Sequence, residues 1–347
     1  MAGRSLSELQ VETVAGEAPI AAEAFRPYWR RLLGRAEAWP GEELFAALFH
    51  RFVRRIVHED AAGFAALGAR PRLYLANHQV AIESVLFVWA LSAVTGALVR
   101  SIAKEAHQTT WLGEWLRHTF HHPSISPPQI NFYRNEYAAA SLVDMRDDIE
   151  AALARDGSSL LVHSAATRVL SCRVPLSVLS GFFVDLALRL ELPIVPVRFA
   201  GGLPVETMDD FRDFPIGFTG QDYYLGRAIG PDELARERRE QRIRLLLDRI
   251  NGLGPRSGEE VPNPPQPVFR RRIQDWIGEV GTSQFKAVAL SALESYPRRS
   301  PMTERLLAAL ERGPLVVGET DDERWFGQWA QWLTDGRLAV RTLPAAG

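Results

Sequence analysis

Residues 71–99, PRLYLANHQVAIESVLFVWALSAVTGALV, decide the fold class of this 347-residue chain. The opening run PRLYLANH is short and apolar, which is typical of a buried strand. The uncharged run at residues 84–99 is shorter than the roughly 20 apolar residues of a membrane span, so we predict that it forms a buried helix. A strand that leads directly into a buried helix favours an α/β fold.

The same alternation of strand-like and helical patterns continues along the chain. Further strand-like runs are SIAKEAH (101–107), INFYRNE (130–136), SSLLVHS (158–164) and LPIVPVRF (192–199). Helical patterns lie between them at YAAASLVDMRDDIEAALARDG (137–157) and FFVDLALRLE (182–191). Because the strand-like runs lack a clean in-out alternation, we predict a mostly parallel or mixed central sheet with helices on both faces. Active sites in such folds lie beyond the ends of the strands.

Helical patterns also occupy both ends of the chain. Apolar residues recur every three or four positions between residues 22 and 59, which predicts helices there. The stretch GLGPRSGEEVPNPPQPV at 252–268 is dense in proline and glycine, which is typical of a linker. We therefore predict an N-terminal helical region at 1–60, an α/β domain at 61–251, a linker at 252–268 and a C-terminal helical region at 269–347.

Composition and charge exclude several classes of protein. The formal net charge of -2 argues against a nucleic-acid binder, which normally carries a basic excess. With Cys172 as the single cysteine, neither an intrachain disulfide nor a thiolate zinc site can form, which fits a reducing cytoplasm. His118, His121 and His122 lie in a proline-rich stretch without nearby acids, so we predict a solvated loop there and no metal site.

The candidate chemistry begins where the first strand ends. His78 closes the strand-like run, and Glu83 follows five residues later, in what should be the first turn of the helix. A carboxylate is favoured there by the helix dipole and could accept the proton of one imidazole nitrogen, leaving the other as a base. With no protein nucleophile beside this pair, the attacking group would be a substrate hydroxyl. Taken alone, the spacing is equally typical of a histidine that is satisfied inside a core.

The order of the next segments narrows the choice. After His78 and Glu83 come IAKEAHQTTWLGEWL, INFYRNE, LLVHSAATR and LPIVPVRF. At these points the sequence resembles the PlsC-like family of lysophospholipid and glycerol-phosphate acyltransferases, over roughly residues 72–229. The resemblance implies a glycerolipid acyltransferase-like α/β fold. It also implies catalysis by His78 as the general base, held by Glu83.

The resemblance further implies a set of substrate-binding residues. Arg134 matches an arginine that ends the second block of the family, Thr167 and Arg168 match the third block, and Pro196 matches the fourth. Lys104 falls in a lysine-bearing stretch between the first two blocks, and backbone amides near Asn77 are candidate donors to the oxyanion. The expected substrate-binding set is therefore Asn77, Lys104, Arg134, Thr167, Arg168 and Pro196.

Two departures from the family pattern concern the acid and the third block. Glu83 stands where the family more often has Asp, and the longer carboxylate can still reach an imidazole. Ala165 and Ala166 stand where the family has Glu and Gly. Neither alanine side chain can form a hydrogen bond to an acceptor hydroxyl, so the resemblance leaves the acceptor open.

The flanking text, LSCRVPLSVLSGFFVDLALRL and VPVRFAGGLPVE, looks most like acyltransferase domains of bacterial polyunsaturated fatty-acid and polyketide-type synthases. This resemblance implies a donor acyl chain on an acyl carrier protein or coenzyme A and no bound cofactor. The acceptor would be a hydroxyl of a lysophospholipid or a glycerol-phosphate-like molecule. The expected location is the cytoplasm, with peripheral contact to the inner face of the membrane as an option.

Two other functions remain open at this point. A catalytically weakened domain could bind acyl chains, carrier protein or membrane within a fatty-acid synthase assembly, and Ala165 and Ala166 motivate this alternative. An acyl-thioester hydrolase would use water in place of the alcohol. The basic and aromatic helix predicted near residues 25–35 could lie on an anionic membrane, dock on a partner or cover the protein's own apolar surface.

Overall fold

The computed structural model describes residues 22–125, 132–133, 139–165, 167–255 and 259–343. The described residues form two compact units, and both units are built from separate stretches of the chain. The α/β unit comprises the described parts of 52–105 and 130–265, and the helical unit those of 22–51, 106–129 and 266–347. In the part of the chain that the structure describes, no helix is both long enough and apolar enough to cross a membrane.

The strands and helices alternate through the α/β unit. The helices are α1 Arg26–Leu32, α2 Pro40–Phe52, α3 Ala61–Ala66, α4 Ile82–Thr95, α5 Trp111–Phe120, α6 Ala139–Asp156, α7 Gly181–Arg189, α8 Pro231–Ala235, α9 Arg239–Gly252, α10 Pro267–Val280, α11 Gln284–Ser295, α12 Pro301–Arg312 and α13 Asp321–Leu333. The strands are β1 Val53–His58, β2 Leu73–Ala76, β3 Val99–Ser101, β4 Ala103–Lys104, β5 Phe132–Tyr133, β6 Ser159–His163, β7 Ile194–Ala200, β8 Gln221–Leu225, β9 Leu315–Val317 and β10 Val340–Thr342.

A six-stranded sheet forms the centre of the α/β unit, with the strand order β1-β8-β7-β2-β6-β3. Neighbouring strands run parallel except β7 and β8, which are antiparallel. This architecture confirms the prediction of an α/β fold with a mostly parallel or mixed central sheet. The predicted strands near residues 71–78, 158–164 and 192–199 are β2, β6 and β7.

The two faces of β2 pack against different helices. Leu73 and Leu75 belong to a buried cluster that includes Ile149 of α6 and Ile250 of α9. The next residue along the strand, Tyr74, points to the other face, where its ring meets Phe87 of α4 edge-on at 5.1 Å. Successive strand side chains point to opposite faces, so both faces of the sheet are covered by helices, as predicted.

One predicted helix boundary is wrong. The pattern between residues 22 and 59 predicted helix to its end, but α2 stops at Phe52 and residues 53–58 form β1, an edge strand of the sheet. The sequence VRRIVH contains three β-branched residues, which favour extended structure. The tertiary partner decides the outcome, because β1 pairs in parallel with β8.

The helical unit contains α1, α2, α5 and α10 to α13. Helix α12 begins at an N-cap, Ser300, whose side chain accepts a hydrogen bond from the Thr303 amide. Trp325 and Trp329 of α13 are buried. The prediction of a solvated histidine loop is wrong for His122, which is buried and lies 2.6 Å from an Asp322 carboxylate oxygen. That acid is far away in sequence, so local context could not reveal it.

Candidate active site

His78 and Glu83 come together where β2 passes into α4. Glu83 occupies the first turn of α4, and its Oε1 atom lies 2.8 Å from Nδ1 of His78. The Glu83 side chain is fully buried, whereas the His78 side chain is 16% exposed. When Nδ1 of His78 donates its proton to the carboxylate, the lone pair of the ring resides on Nε2. The geometry is therefore that of a base and the acid that orients it.

The carboxylate of Glu83 is held by three further donors. The backbone amide of Gln79 donates to Oε1 at 2.8 Å, and that of Val80 donates to Oε2 at 3.3 Å. Nε2 of Gln221, in the neighbouring part of the sheet, donates to Oε2 at 3.0 Å. Burial raises the pKa of Glu83 to about 7, and these hydrogen bonds act in the opposite direction by favouring the charged form. The acid has a single fixed orientation toward His78.

A second histidine, His163, lies against His78. The parallel pairing of β2 with β6 places Ala76 beside His163, so the residues that follow each strand meet at the same edge of the sheet. The two imidazole rings stack with centroids 3.7 Å apart and planes 18° from parallel. Sequence reasoning missed this contact. The available signal was that His163 ends a predicted strand and opens the third block.

Both ring nitrogens of His163 have hydrogen-bond partners. Nδ1 lies 2.7 Å from the backbone carbonyl of Asn77 and therefore donates to it. Nε2 then accepts from the hydroxyl of Ser84 at 2.6 Å. Burial lowers the pKa of His163 to about 3, and the charge of a protonated His78 lowers it further. His163 is therefore neutral at physiological pH.

The side chain of Asn77 has a structural role in the described residues. Its Nδ2 donates to the carbonyl of Phe199 at 2.9 Å, and its Oδ1 accepts from the Phe199 amide at 2.7 Å. This pair of bonds ties the end of β2 to β7 beside the candidate site. The amides of Gln79 and Val80, which follow Asn77, donate to Glu83 and are already engaged.

The third block passes beside His78. The amide of Val169 donates to the carbonyl of His78 at 3.0 Å, and Thr167 is exposed. Arg168 binds the Asp213 carboxylate at 2.7 Å and the Arg212 carbonyl at 2.6 Å through Nη1. An anionic substrate that used Arg168 would have to share it with Asp213.

The other expected substrate-binding residues lie in different surroundings. Lys104 is exposed at the end of β4. Pro196 is buried in β7, where it pairs with Leu75 of β2. Arg134 lies outside the described residues, as does Ala166 of the third block.

A buried polar network supports the Glu83 carboxylate from behind. Oε1 of Gln79 accepts from Nε2 of Gln221 at 3.3 Å, and Nε2 of Gln79 donates to Oε1 of Glu260 at 3.1 Å. The other oxygen of Glu260 forms an ion pair with Arg198 at 3.1 Å, and both side chains are buried. Glu260 comes from the predicted linker at 252–268, so that stretch contributes to the interior of the α/β unit.

The same residues were considered as a metal site. One ligand atom from each of His78, Glu83 and His163 lies within 4.8 Å of the others, which makes them a candidate set within the described residues. However, His163 uses Nδ1 for Asn77 and Nε2 for Ser84. Binding a metal would break one of these bonds and the bond between His78 and Glu83. The donor set therefore fits proton transfer better than metal ligation.

The comparisons with known proteins do not identify a family. No protein-family model matches the chain, and no curated protein is significantly similar to it.

Proposed function

We propose that this chain is an O-acyltransferase that moves a fatty acyl chain from a thioester donor to a hydroxyl group. The donor would be acyl carrier protein or coenzyme A, and the acceptor a lysophospholipid or a glycerol-phosphate-like molecule. The observation that carries the proposal is the 2.8 Å contact between His78 and the fully buried Glu83. The order of the sequence blocks around this pair, and their resemblance to PlsC-like acyltransferases, supply the reaction class.

The proposed reaction uses His78 twice. Nε2 of His78 takes the proton of the acceptor hydroxyl while that oxygen attacks the thioester carbonyl, and Glu83 stabilises the imidazolium that forms. The tetrahedral intermediate collapses with cleavage of the C–S bond. The proton on Nε2 then passes to the departing sulfur, so the products are an ester and a free thiol.

The oxyanion of the intermediate needs hydrogen-bond donors. The amides of Gln79 and Val80 are occupied by Glu83, which moves the expected donors away from this turn. The third block is the remaining candidate from the sequence, because its backbone contacts the carbonyl of His78 through Val169.

The serine near the site is a poor candidate for a covalent nucleophile. The Ser84 hydroxyl donates to Nε2 of His163 at 2.6 Å. Burial lowers the pKa of His163 to about 3, so this histidine is too weak a base to activate a serine at neutral pH. This supports direct transfer to the acceptor without an acyl-enzyme.

Acceptor recognition would depend on positive charge near the third block. Arg168 is the described arginine of that block, and a guanidinium is suited to bidentate contact with a phosphate. A cytoplasmic protein with peripheral access to the membrane would meet both a carrier-bound donor and a lipid acceptor.

The test is transfer of a radiolabelled acyl group from acyl carrier protein or coenzyme A to a panel of lysophospholipids and glycerol phosphate. His78→Ala should lower the rate of ester formation by about 10²- to 10⁴-fold, the usual contribution of a general base. His58→Ala is the matched control, because His58 lies on β1 of the same unit and packs on Phe64 at 4.6 Å. Its activity should stay near that of the wild type.

Three outcomes would contradict the proposal in different ways. Near-normal transfer by His78→Ala would remove the base. Free fatty acid released at the same rate with and without acceptor would indicate a thioester hydrolase. Binding of acyl thioester with no ester formed from any acceptor would indicate a binding domain.

A further inference from the structure

The structure points to a role for His163 in the chemistry of His78. We propose that His163 is a positioning residue whose uncharged ring, stacked on His78, stabilises the imidazolium that His78 forms when it accepts a proton. This inference rests on the proposed function for its catalytic meaning. The physical effect on His78 can be measured without any substrate.

The stacked geometry is the first support. The ring centroids of His78 and His163 are 3.7 Å apart and the planes are within 18° of parallel. A cation over the face of an aromatic ring within about 6 Å is stabilised by the ring electrons. The imidazolium of His78 would lie in that position relative to His163.

The second support is that His163 is held in the uncharged form from both sides. Its Nδ1 proton is donated to the Asn77 carbonyl at 2.7 Å, and its Nε2 accepts from Ser84 at 2.6 Å. Protonation of Nε2 would place two donors against each other. A charged His163 would repel the His78 imidazolium, whereas the neutral ring attracts it.

Other charged groups reach His78 from the surrounding elements. Glu83 faces it from α4, and Tyr223 of β8 interacts electrostatically with Glu83, although burial raises the pKa of this phenol well above its usual value. Arg168 is close in sequence to Val169, which contacts the His78 carbonyl, but its guanidinium binds Asp213. Glu83 orients the ring of His78 within its plane, and His163 contacts its face, so the two effects are separable.

Two substitutions at position 163 separate the aromatic face from the hydrogen bonds. His163→Phe keeps a neutral aromatic face and loses both hydrogen bonds. His163→Gln has an amide that can bond with Asn77 or Ser84 but has no ring. If His163→Gln fails to fold, His163→Leu, which has neither property, takes its place in the comparison.

The experiment is an NMR titration of His78 in the full chain without substrate. Loss of the ring in His163→Gln should lower the pKa of His78 by about 0.5 to 1 unit, whereas His163→Phe should leave it within about 0.3 unit of the wild type. His58→Gln is the matched control and should not move it. An unchanged pKa of His78 in His163→Gln, or an equal fall in His163→Phe, would overturn the proposal.

Kinetics provide a second readout once an acceptor is known. The acid limb of the profile of kcat/KM against pH should move to lower pH in His163→Gln by the shift seen in the titration, and the plateau should fall about 3- to 10-fold. A lower plateau with an unmoved limb would indicate a merely structural role. If the wild type forms no ester at all, the proposed function fails while the titration still tests His163.

Discussion

Replacing Glu83 by Gln tests the candidate site because the change is nearly isosteric and removes only charge and acceptor capacity. Four groups point at the two carboxylate oxygens: His78 and the Gln79 amide at Oε1, the Val80 amide and Gln221 at Oε2. An amide side chain can accept hydrogen bonds at only one of its two terminal atoms. Two of the four donors would therefore face an NH2 group.

The structure suggests how much stability this costs. The Oε1 atom of Gln221 is buried without a hydrogen-bond partner in the described residues, so turning its amide would let it accept from the new NH2 group. The Val80 amide, at 3.3 Å in the wild type, would stay unsatisfied. One buried unsatisfied donor costs about 1–3 kcal/mol in the free energy of unfolding.

The loss of activity should be much larger than the loss of stability. In a Ser-His-Asp triad, changing the acid to its amide lowers kcat about 10⁴-fold because the histidine adopts the wrong tautomer. We expect a similar fall in ester formation for Glu83→Gln. Urea unfolding and radiolabelled acyl transfer measure the two effects, and Glu83→Asp is the control that keeps the charge. Loss of less than about tenfold in activity, or more than about 5 kcal/mol in stability, would refute the reasoning.

Three further predictions follow from the same contacts. Burial raises the pKa of Glu83 to about 7, above the roughly 4.3 of an unfolded chain, so the native state binds more protons between these values. Urea unfolding should show wild-type stability falling by about 3–4 kcal/mol as the pH rises from 4.3 to 7, with this fall absent in Glu83→Gln. Glu260→Ala should cost about 3–5 kcal/mol because Arg198 would stay buried and unpaired, whereas Glu233→Ala, which removes an exposed ion pair, should cost less than about 1 kcal/mol in the same assay. Arg168→Ala should raise the KM for an anionic acceptor about 10- to 100-fold and leave the KM for the donor unchanged, because a charged hydrogen bond contributes about 1.5–3 kcal/mol; an equal rise in both constants would count against a role at the acceptor.

The sequence predicts the parts of the fold that depend on local pattern. Strands β2, β6 and β7 and helix α4 are continuous apolar runs, and such runs read alike in isolation and in the fold. Strands β1 and β8 were not predicted. The run VRRIVH of β1 is compatible with helix or strand, and its pairing with β8 decides between them.

The candidate site was predictable to the same extent. The contact between His78 and Glu83 spans one strand-helix turn, so spacing and helix polarity were sufficient to predict it. The stack of His163 on His78 depends on the register between β2 and β6, and register is set by the whole sheet. Glu260 was hidden by its composition, because a stretch rich in proline and glycine is typical of a linker whether or not one of its side chains is buried.

The ion pair between Arg198 and Glu260 has a practical consequence for anyone who shortens this protein. A version that ends with α9 at Gly252 would keep every strand of the central sheet but lose the carboxylate that receives Gln79, Arg198 and the Gly201 amide. Water or misfolding would then take the place of that anion, directly behind the acid that orients His78. The smallest fragment suitable for expression as an intact catalytic module should therefore extend at least to residue 265, where the α/β unit ends.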